Sequence, residues 1–228
     1  MRIATYLNTT ENDLQSRKFN IFIGISLGNK YFSKENIKDY LLWALKNTKE
    51  KVAILIPDKI HSVNYEVRNK YSKERAENLA FREGEKVKEV VENILSEMEI
   101  EKRALVDILK WESIETNKHK SMVEILHKEF ENNKDFRNSI LEIVKENIQS
   151  EKLTDSDYEK LATYPLEELP MLVSGIEYDG IAYDLLPYPG ISRIDHLAID
   201  LQEGTNFPEI TKELNVGEKL RLIEAYAK

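Results

Sequence analysis

Ser26 lies between two glycines, in the sequence Gly-Ile-Ser-Leu-Gly over residues 24–28. In α/β-hydrolases the pattern G-x-S-x-G forms a sharp strand-to-helix turn that exposes a nucleophilic serine. That turn normally follows several earlier strands, whereas here it follows the first strand that we predict. Asp195 and His196 lie far downstream, but adjacent residues need not meet a serine as the acid and base of a triad. The motif leaves open a serine hydrolase and an ordinary glycine-flanked turn.

A phenol and a carboxyl group occur four residues apart, at Tyr164 and Glu168. Pro165 disfavours the helical conformation at the residue before it and suits the first turn of a helix, so we expect Tyr164 at or just before a helix start. Glu168 then projects near the tyrosine ring. Such a pair can orient an amine and accept its proton. A plainer interpretation is an acidic residue that favours the helix dipole, with a tyrosine packed against it.

Tyr188 stands between Pro187 and Pro189, and Gly190 follows. The two prolines restrict the backbone around the tyrosine, which suits a side chain held in a fixed place. The dipeptide Pro-Gly is also common in turns. On its own, this segment fits both a placed phenol and a simple turn.

Composition excludes several kinds of chemistry. The 228 residues include no cysteine, which rules out thiol nucleophiles, disulfides and thiolate metal sites. Neither G-x-G-x-x-G nor G-x-x-x-x-G-K occurs, and the four histidines show no metal-binding spacing. No apolar run approaches the roughly 18 residues that cross a bilayer, and the first residues lack the features of a signal peptide. We expect a cytoplasmic protein with no cofactor, no metal and no membrane contact.

The elements that must position these residues alternate between strand and helix. Apolar, β-branched runs predict buried strands, and helical periodicity predicts helices between and after them. The predicted strands cover residues 19–25, 52–56 and 104–109, with two more near 181–186 and 194–199. The predicted helices cover residues 34–47, 72–98, 117–132, 135–149, 156–163, 165–173 and 216–226, and residues 58–71 are predicted to be a polar connection. This order indicates one α/β domain over residues 1–228, with a parallel sheet covered by helices on both faces. Ligands bind such sheets at the carboxyl ends of the strands, where Ser26 is expected.

Three segments together resemble the cyclodipeptide synthase family. The block from Gly24 to Ser33, with its trailing Asn-x-Tyr-Phe-Ser, is similar to the signature around that family's nucleophilic serine. Tyr164, followed after three residues by Glu-Leu-Pro at 168–170, is similar to its second signature. Tyr188 lies where members have a second conserved tyrosine. The resemblance spans roughly residues 19–190.

The resemblance implies a Rossmann-type fold similar to the catalytic domain of class I aminoacyl-tRNA synthetases. It also implies an aminoacyltransferase that uses two aminoacyl-tRNAs, without ATP, to make a cyclic dipeptide. Ser26 would carry the aminoacyl and then the dipeptidyl group. Glu168 and Tyr164 would hold the amino group, Glu168 would also transfer protons, and Tyr188 would relay a proton during ring closure.

The resemblance also implies substrate-binding positions. Phe22, Gly24 and Met171 fall where members line the pocket for the first side chain. The family has two groups, of which one has Asn three residues after the serine and the other has Pro after the second tyrosine. This chain has Asn29, a further candidate for substrate binding, together with Pro189. We place it in the Tyr-Pro group.

A basic surface for tRNA is predicted despite the net charge of −8. Residues 1–80 carry a balance of +5, and the remainder carries −13. Arg75, Arg82 and Lys86 are seven and four residues apart, on one face of the long predicted helix, where family members have a basic patch. A solvated helix is the alternative for this face. A serine hydrolase and a non-catalytic RNA-binding Rossmann domain are the alternatives for the whole protein.

Overall fold

A six-stranded, mostly parallel sheet lies at the centre of the computed structural model, which describes residues 1–148 and 153–228. The strands are β1 (Arg2–Tyr6), β2 (Ile21–Gly24), β3 (Val52–Ile56), β4 (Val106–Lys110), β5 (Ile176–Tyr178), β6 (Ile181–Tyr183), β7 (Leu185–Tyr188) and β8 (Arg221–Tyr226). The sheet has the order β1-β8-β7-β2-β3-β4, and β5 pairs with β6 in a separate hairpin. Within the sheet, the pairing of β1 with β8 is antiparallel and the others are parallel.

Helices cover both faces of the sheet. They are α1 (Glu11–Gln15), α2 (Lys34–Asn47), α3 (Asp58–Arg68), α4 (Lys73–Ser96), α5 (Ile100–Arg103), α6 (Trp111–Ile114), α7 (Asn117–Asn132), α8 (Lys134–Asn147), α9 (Asp155–Leu161), α10 (Thr163–Ser174), α11 (Arg193–Glu203) and α12 (Pro208–Leu214). Successive side chains of β2 point to opposite faces, so that Phe22 joins the core beneath α7, α8, α10 and α11, while Ile21 and Ile23 join the core beneath α2 and α4. The predicted α/β fold with helices on both faces is confirmed.

The strand order reverses at β2. From β2 the chain proceeds through β3 to β4 on one side, whereas β7 and β8 lie on the other. The five parallel strands β8, β7, β2, β3 and β4 end at the same edge. The crevice at such a switch point is where open α/β sheets bind ligands. Gly24 ends β2 at this point, which places the following Ser26 at the crevice.

Most predicted helices and the strands over residues 52–56 and 104–109 are confirmed within one or two residues. The predicted helix over 135–149 corresponds to α8, although its final residue lies outside the described residues. The predicted strand near 181–186 is divided between β6 and β7. The polar connection over 58–71 is wrong, because α3 occupies most of it and buries Ile60 and Val67.

Two further predictions are wrong. Residues 194–199 belong to α11, where Ile194, Leu197, Ala198 and Leu201 are buried at the spacing of one helix face. A six-residue window is too short to separate that period from a strand. Residues 221–226 form β8 instead of helix, because β1 and β7 pair with its two edges and its consecutive residues Leu222 and Ile223 are buried on opposite faces of the sheet. The short β1 has no strong apolar pattern and was not predicted.

Gly175 ends α10, the helix that carries the second signature, in a conformation with φ 74° and ψ −166° that only glycine adopts readily. A Cβ atom there would also overlap the carbonyl oxygen of Tyr183. We expect Gly175→Ala to lower the free energy of unfolding by at least about 3 kcal/mol, measured by equilibrium urea unfolding. Gly180→Ala is the matched control, because Gly180 has the same φ with nothing near its Cβ position, and should cost about 1 kcal/mol. Equal losses would contradict the argument from steric overlap.

Candidate active site

A tight turn follows β2 and presents Ser26. The Ile25 N–H donates to the Leu55 carbonyl at 3.0 Å, which extends the sheet pairing by one residue. The Asn29 N–H then donates to the Ser26 carbonyl at 3.2 Å, and Gly28, the third residue of this turn, has φ 76°. A turn with positive φ at its third position favours glycine there. The second glycine of the motif therefore has a backbone role.

The first glycine of the motif, Gly24, has a different role. A Cβ atom there would meet Leu186 at 3.7 Å, which is an ordinary van der Waals distance. Packing within the protein therefore does not require glycine at this position. Gly24 lines the cavity beside Ser26, so the missing side chain leaves open space for a ligand.

A cavity of about 630 Å³ opens beside the turn, at the carboxyl ends of β2, β3 and β7. Seven predicted site residues line it together: Gly24, Ser26, Asn29, Tyr164, Glu168, Met171 and Tyr188. Phe22 does not line it, because this side chain is fully buried in the core below. Arg75, Arg82 and Lys86 are exposed on α4, outside the cavity wall.

Tyr164 and Glu168 lie one turn apart in the first half of α10, with Pro165 in its first turn as predicted. Both side chains are half-buried because one side of each faces the cavity. Burial raises the pKa of Glu168 to about 8, and the negative charge of Asp195 acts in the same direction. Glu168 is therefore mainly protonated at neutral pH.

The two phenols remain protonated at physiological pH. Burial raises the pKa of Tyr188 to about 12; the negative charges of Glu168 and Asp195 add to the rise, and a hydrogen bond with the Ser26 hydroxyl opposes it. Burial also raises the pKa of Tyr164 well above its usual value, and the charges of Glu168 and Tyr188 add smaller increases. Because both groups stay neutral, they can donate hydrogen bonds to a bound carbonyl, ester or amine.

Sequence reasoning missed a polar face of α3. His61, Asn64 and Arg68 line the cavity, and their spacing of three and four residues places them on one side of the helix. The His61 ring packs edge-on against Tyr164, with 6.2 Å between ring centroids. Burial, followed by the charge of Arg68, lowers the pKa of His61 to about 4, so its ring is neutral. The spacing of these three polar residues is the sequence signal that could have predicted this helix face.

Asp195 and His196 do not form a triad with Ser26. Asp195 lines the cavity, but its Oδ2 accepts hydrogen bonds from the Ser192 N–H at 2.8 Å and the Ser192 hydroxyl at 2.9 Å. His196 lines a separate groove between α8, α11 and α12. The two residues that suggested a hydrolase therefore face different parts of the molecule.

Residues 1–148 and 153–228 offer neither a metal site nor a membrane-spanning helix. No group of three or more His, Asp or Glu residues in this part of the chain is arranged to hold a metal ion. None of the helices found there combines the length and apolar character that a membrane crossing requires.

The raised pKa of Glu168 predicts a pH-dependent stability. Its usual value is 4.5, so between about pH 5 and pH 8 the folded chain holds a proton that the unfolded chain has released. The free energy of unfolding therefore falls as pH rises, by up to about 1.4 kcal/mol per unit from this group. Glu168→Gln removes this loss, so we expect the variant to gain stability over the wild type from pH 5 to pH 8.5 in guanidinium unfolding. A difference that is constant with pH would show that Glu168 titrates normally.

The parallel sheet and the cavity at its switch point define a Rossmann-like α/β enzyme. The sequence profile of the family described as Cyclodipeptide synthase matches residues 5–198. The chain belongs to the cyclodipeptide synthase family.

Solved structures show the same fold. A cyclodipeptide synthase from Bacillus thermoamylovorans has a TM-score of 0.76 and 20% identity, over 95% of this chain and 92% of that one. A Mycobacterium tuberculosis protein, whose structure relates cyclodipeptide synthetases to type I tRNA synthetases, has a TM-score of 0.75 and 17% identity, over 95% and 89%. The cyclodipeptide synthase from Candidatus Glomeribacter gigasporarum, bound to Phe-tRNAPhe, has a TM-score of 0.63 and 17% identity, over 96% and 92%. No curated protein sequence matches the chain. The expected Rossmann-type fold, similar to class I aminoacyl-tRNA synthetases, is confirmed.

Proposed function

We propose that this chain joins the amino acids of two aminoacyl-tRNAs into a cyclic dipeptide, a 2,5-diketopiperazine, through covalent intermediates on Ser26. The observation that carries the proposal is the shared cavity, which Ser26 lines together with Glu168, Tyr164 and Tyr188. Family membership supports the product class, and the relative bound to Phe-tRNAPhe supports the substrate class.

In the first step, the Ser26 oxygen attacks the ester carbonyl of an aminoacyl-tRNA. The bond from that carbonyl to the ribose oxygen breaks, and the serine proton passes to the ribose oxygen. One ester replaces another of similar energy, so no ATP is needed. The covalent intermediate divides a two-substrate condensation into steps that each need one bound tRNA.

In the second step, the amino group held on the enzyme attacks the ester of a second aminoacyl-tRNA. We assign Glu168 and Tyr164 to hold this amino group, as their position on the cavity wall supports. The pKa of Glu168, about 8, is close to the value of roughly 7.7–8.0 for an α-amino group. A proton can therefore move between the two groups at little cost, which frees the amine to attack.

In the third step, the free amine of the dipeptidyl group attacks the Ser26 ester, closes the ring and returns the serine hydroxyl. We assign the proton relay in this step to Tyr188. The Ser26 side chain interacts with the phenol and lowers its pKa, which supports this role, because the departing serine oxygen must gain a proton. The neutral phenol can donate that proton and take another from the attacking amine.

The cavity wall supports a subsite for the first side chain around Gly24 and Met171, with Leu186 and Trp111 adding apolar surface. Phe22 does not line this subsite and would affect it only indirectly, by packing against the residues that form the cavity wall. Pro189, directly after Tyr188, supports assignment to the Tyr-Pro group. Asn29 uses its Oδ1 to accept the Tyr31 N–H at 3.0 Å, so its side chain stabilises the loop.

We propose that α4 contacts the tRNA through Arg75, Arg82 and Lys86. The Arg75 guanidinium lies over the Tyr71 ring at 3.8 Å, and the Lys86 ammonium lies 2.8 Å from Glu83. These basic side chains remain largely exposed and share one face of the helix. They can therefore approach a phosphate backbone without rearrangement of the core.

Replacing Arg75, Arg82 and Lys86 together by alanine is expected to weaken aminoacyl-tRNA binding at least about tenfold. The slope of log affinity against log salt should also fall by about 2 to 3, because three phosphate contacts are lost. The matched control replaces Lys118 and Lys120 on α7, which covers the opposite face of the sheet. Equal losses in both variants, measured by filter binding at several salt concentrations, would refute a specific contact by α4.

The deciding experiment is mass spectrometry of medium from cells that express the protein, scanned for diketopiperazines. We expect a product that is missing from cells with the empty vector, and its fragmentation spectrum, compared with synthetic standards, would identify the two amino acids. Hydrolysis of small esters without any diketopiperazine would indicate a serine hydrolase. Binding of uncharged tRNA without product would indicate a non-catalytic RNA-binding domain. We place the reaction in the cytoplasm, where tRNA is charged.

A further inference from the structure

Asp195 is a second carboxyl group in the same cavity as Glu168. It lies in the first turn of α11, which packs against α10, and its side chain is only 7% exposed. Both hydrogen bonds that Oδ2 accepts come from Ser192, the residue that caps α11. The carboxylate is therefore fixed in place by the local structure of the helix start, independently of any ligand.

The two carboxyl groups have unequal surroundings. Burial is the largest influence on both groups and raises both pKa values; the hydrogen bonds from Ser192 oppose the rise at Asp195, whereas the charge of Asp195 adds to the rise at Glu168. Other titratable or charged groups on this cavity wall are His61 and Arg68 from α3, Tyr164 from α10 and Tyr188 from β7. Wall residues contributed by α8 and α9 do not titrate. When two nearby carboxyl groups compete for one proton, the better stabilised one takes the charge.

We propose that Asp195 is a positioning residue whose fixed carboxylate keeps a proton on Glu168 until a substrate amine arrives. This inference rests on the proposed function, because it assigns a cause to the proton affinity that the second step uses. Before an amine binds, Asp195 then holds the negative charge of the pair and Glu168 holds the proton. A neutral amine beside protonated Glu168 is one proton transfer away from an ammonium beside the carboxylate, so no proton is exchanged with solvent.

The balance between those two forms decides how much free amine can attack. When the amine forms the new amide bond, its nitrogen loses one proton, and the departing ribose oxygen gains one. Glu168 can give its proton to that oxygen and recover one from the nitrogen, which leaves the site unchanged. When the pKa of Glu168 falls by one unit, the ratio of neutral amine to ammonium falls about tenfold.

The test is an infrared titration of the Glu168 carboxyl in the full-length protein, with the spectrum of Glu168→Gln subtracted to assign the signal. We expect a midpoint near pH 8 in the wild type. In Asp195→Asn, which keeps an oxygen for the Ser192 bonds but removes the charge, the midpoint should fall by at least about one unit. Asp195→Glu restores the charge and should restore most of the shift. Glu203→Gln, an exposed change on the same helix, should leave it unaltered.

The pH profile of product formation gives a second readout. We expect the acidic limb of the profile of Asp195→Asn to move to lower pH and its kcat at pH 7.5 to fall about tenfold. An unchanged Glu168 midpoint in a folded Asp195→Asn variant would overturn the inference. If no variant and no wild-type protein makes a diketopiperazine, the proposed function fails, and the infrared titration still decides whether Asp195 controls Glu168.

Discussion

Ser26→Ala is expected to abolish both product release and covalent labelling of the protein by radiolabelled aminoacyl-tRNA. The proposed reaction passes every acyl group through this one hydroxyl, so turnover should fall by roughly 10⁴-fold or more. Alanine should preserve the fold, because the Ser26 backbone carbonyl, and not its hydroxyl, accepts the hydrogen bond that closes the turn. The measurement is acid-stable label on the protein together with mass spectrometry of the product.

Ser96→Ala is the matched control for this prediction. Ser96 is an exposed serine at the end of α4, and its hydroxyl donates to the Asn93 carbonyl at 2.8 Å. This variant should label and turn over like the wild type. If Ser26→Ala labels as strongly as Ser96→Ala and still releases product, the nucleophile lies elsewhere and the covalent mechanism is wrong.

The sequence predicts those elements whose local residue pattern agrees with their burial in the fold. The strand β3 consists of five apolar residues that are all buried, and a short continuous apolar run of this length is typical of a buried strand. The start of α2 could also be predicted, because Ser33 is a typical N-cap residue and its side chain accepts a hydrogen bond from the Asn36 N–H. In these elements local preference and tertiary environment agree.

The incorrectly predicted elements depend on distant neighbours. The strand β8 is stable because β1 and β7, separated by most of the chain, pair with its two edges. The helix α3 buries only a narrow apolar strip against α4 and turns its polar side towards the cavity. A functional face of this kind has the composition of a loop, so composition alone misidentified it.

The site shows the same division. Ser26, Glu168 and Tyr188 belong to motifs whose order and spacing could be matched along the chain. That these motifs meet in one cavity follows from the topology, because β2 and β7 are neighbours in the sheet although about 160 residues separate them. Asp195 was considered only as part of a hydrolase triad. Its influence on Glu168 depends on the packing of α11 against α10, which no local pattern encodes.

Glu168→Gln is expected to reduce diketopiperazine formation by roughly 10²- to 10⁴-fold, the usual range for losing a general acid–base group. Glutamine has nearly the same size and can still accept a hydrogen bond from the substrate amine. It cannot take up or return a proton near pH 8, so the amine held on the enzyme remains a poor nucleophile. The measurement is the rate of product release with purified aminoacyl-tRNAs, at several pH values.

The neighbouring carboxyl group supplies the control, because Glu167 lies on the same helix but does not line the cavity. Burial raises the pKa of Glu167 too, and the charge of Glu115 adds to the rise, so the two residues share an environment of similar polarity. Glu167→Gln should therefore alter stability without removing turnover. Normal turnover by Glu168→Gln would remove Glu168 from the chemistry, whereas equal losses in both variants would mean that α10 needs its carboxyl groups for folding and that neither acts on the substrate.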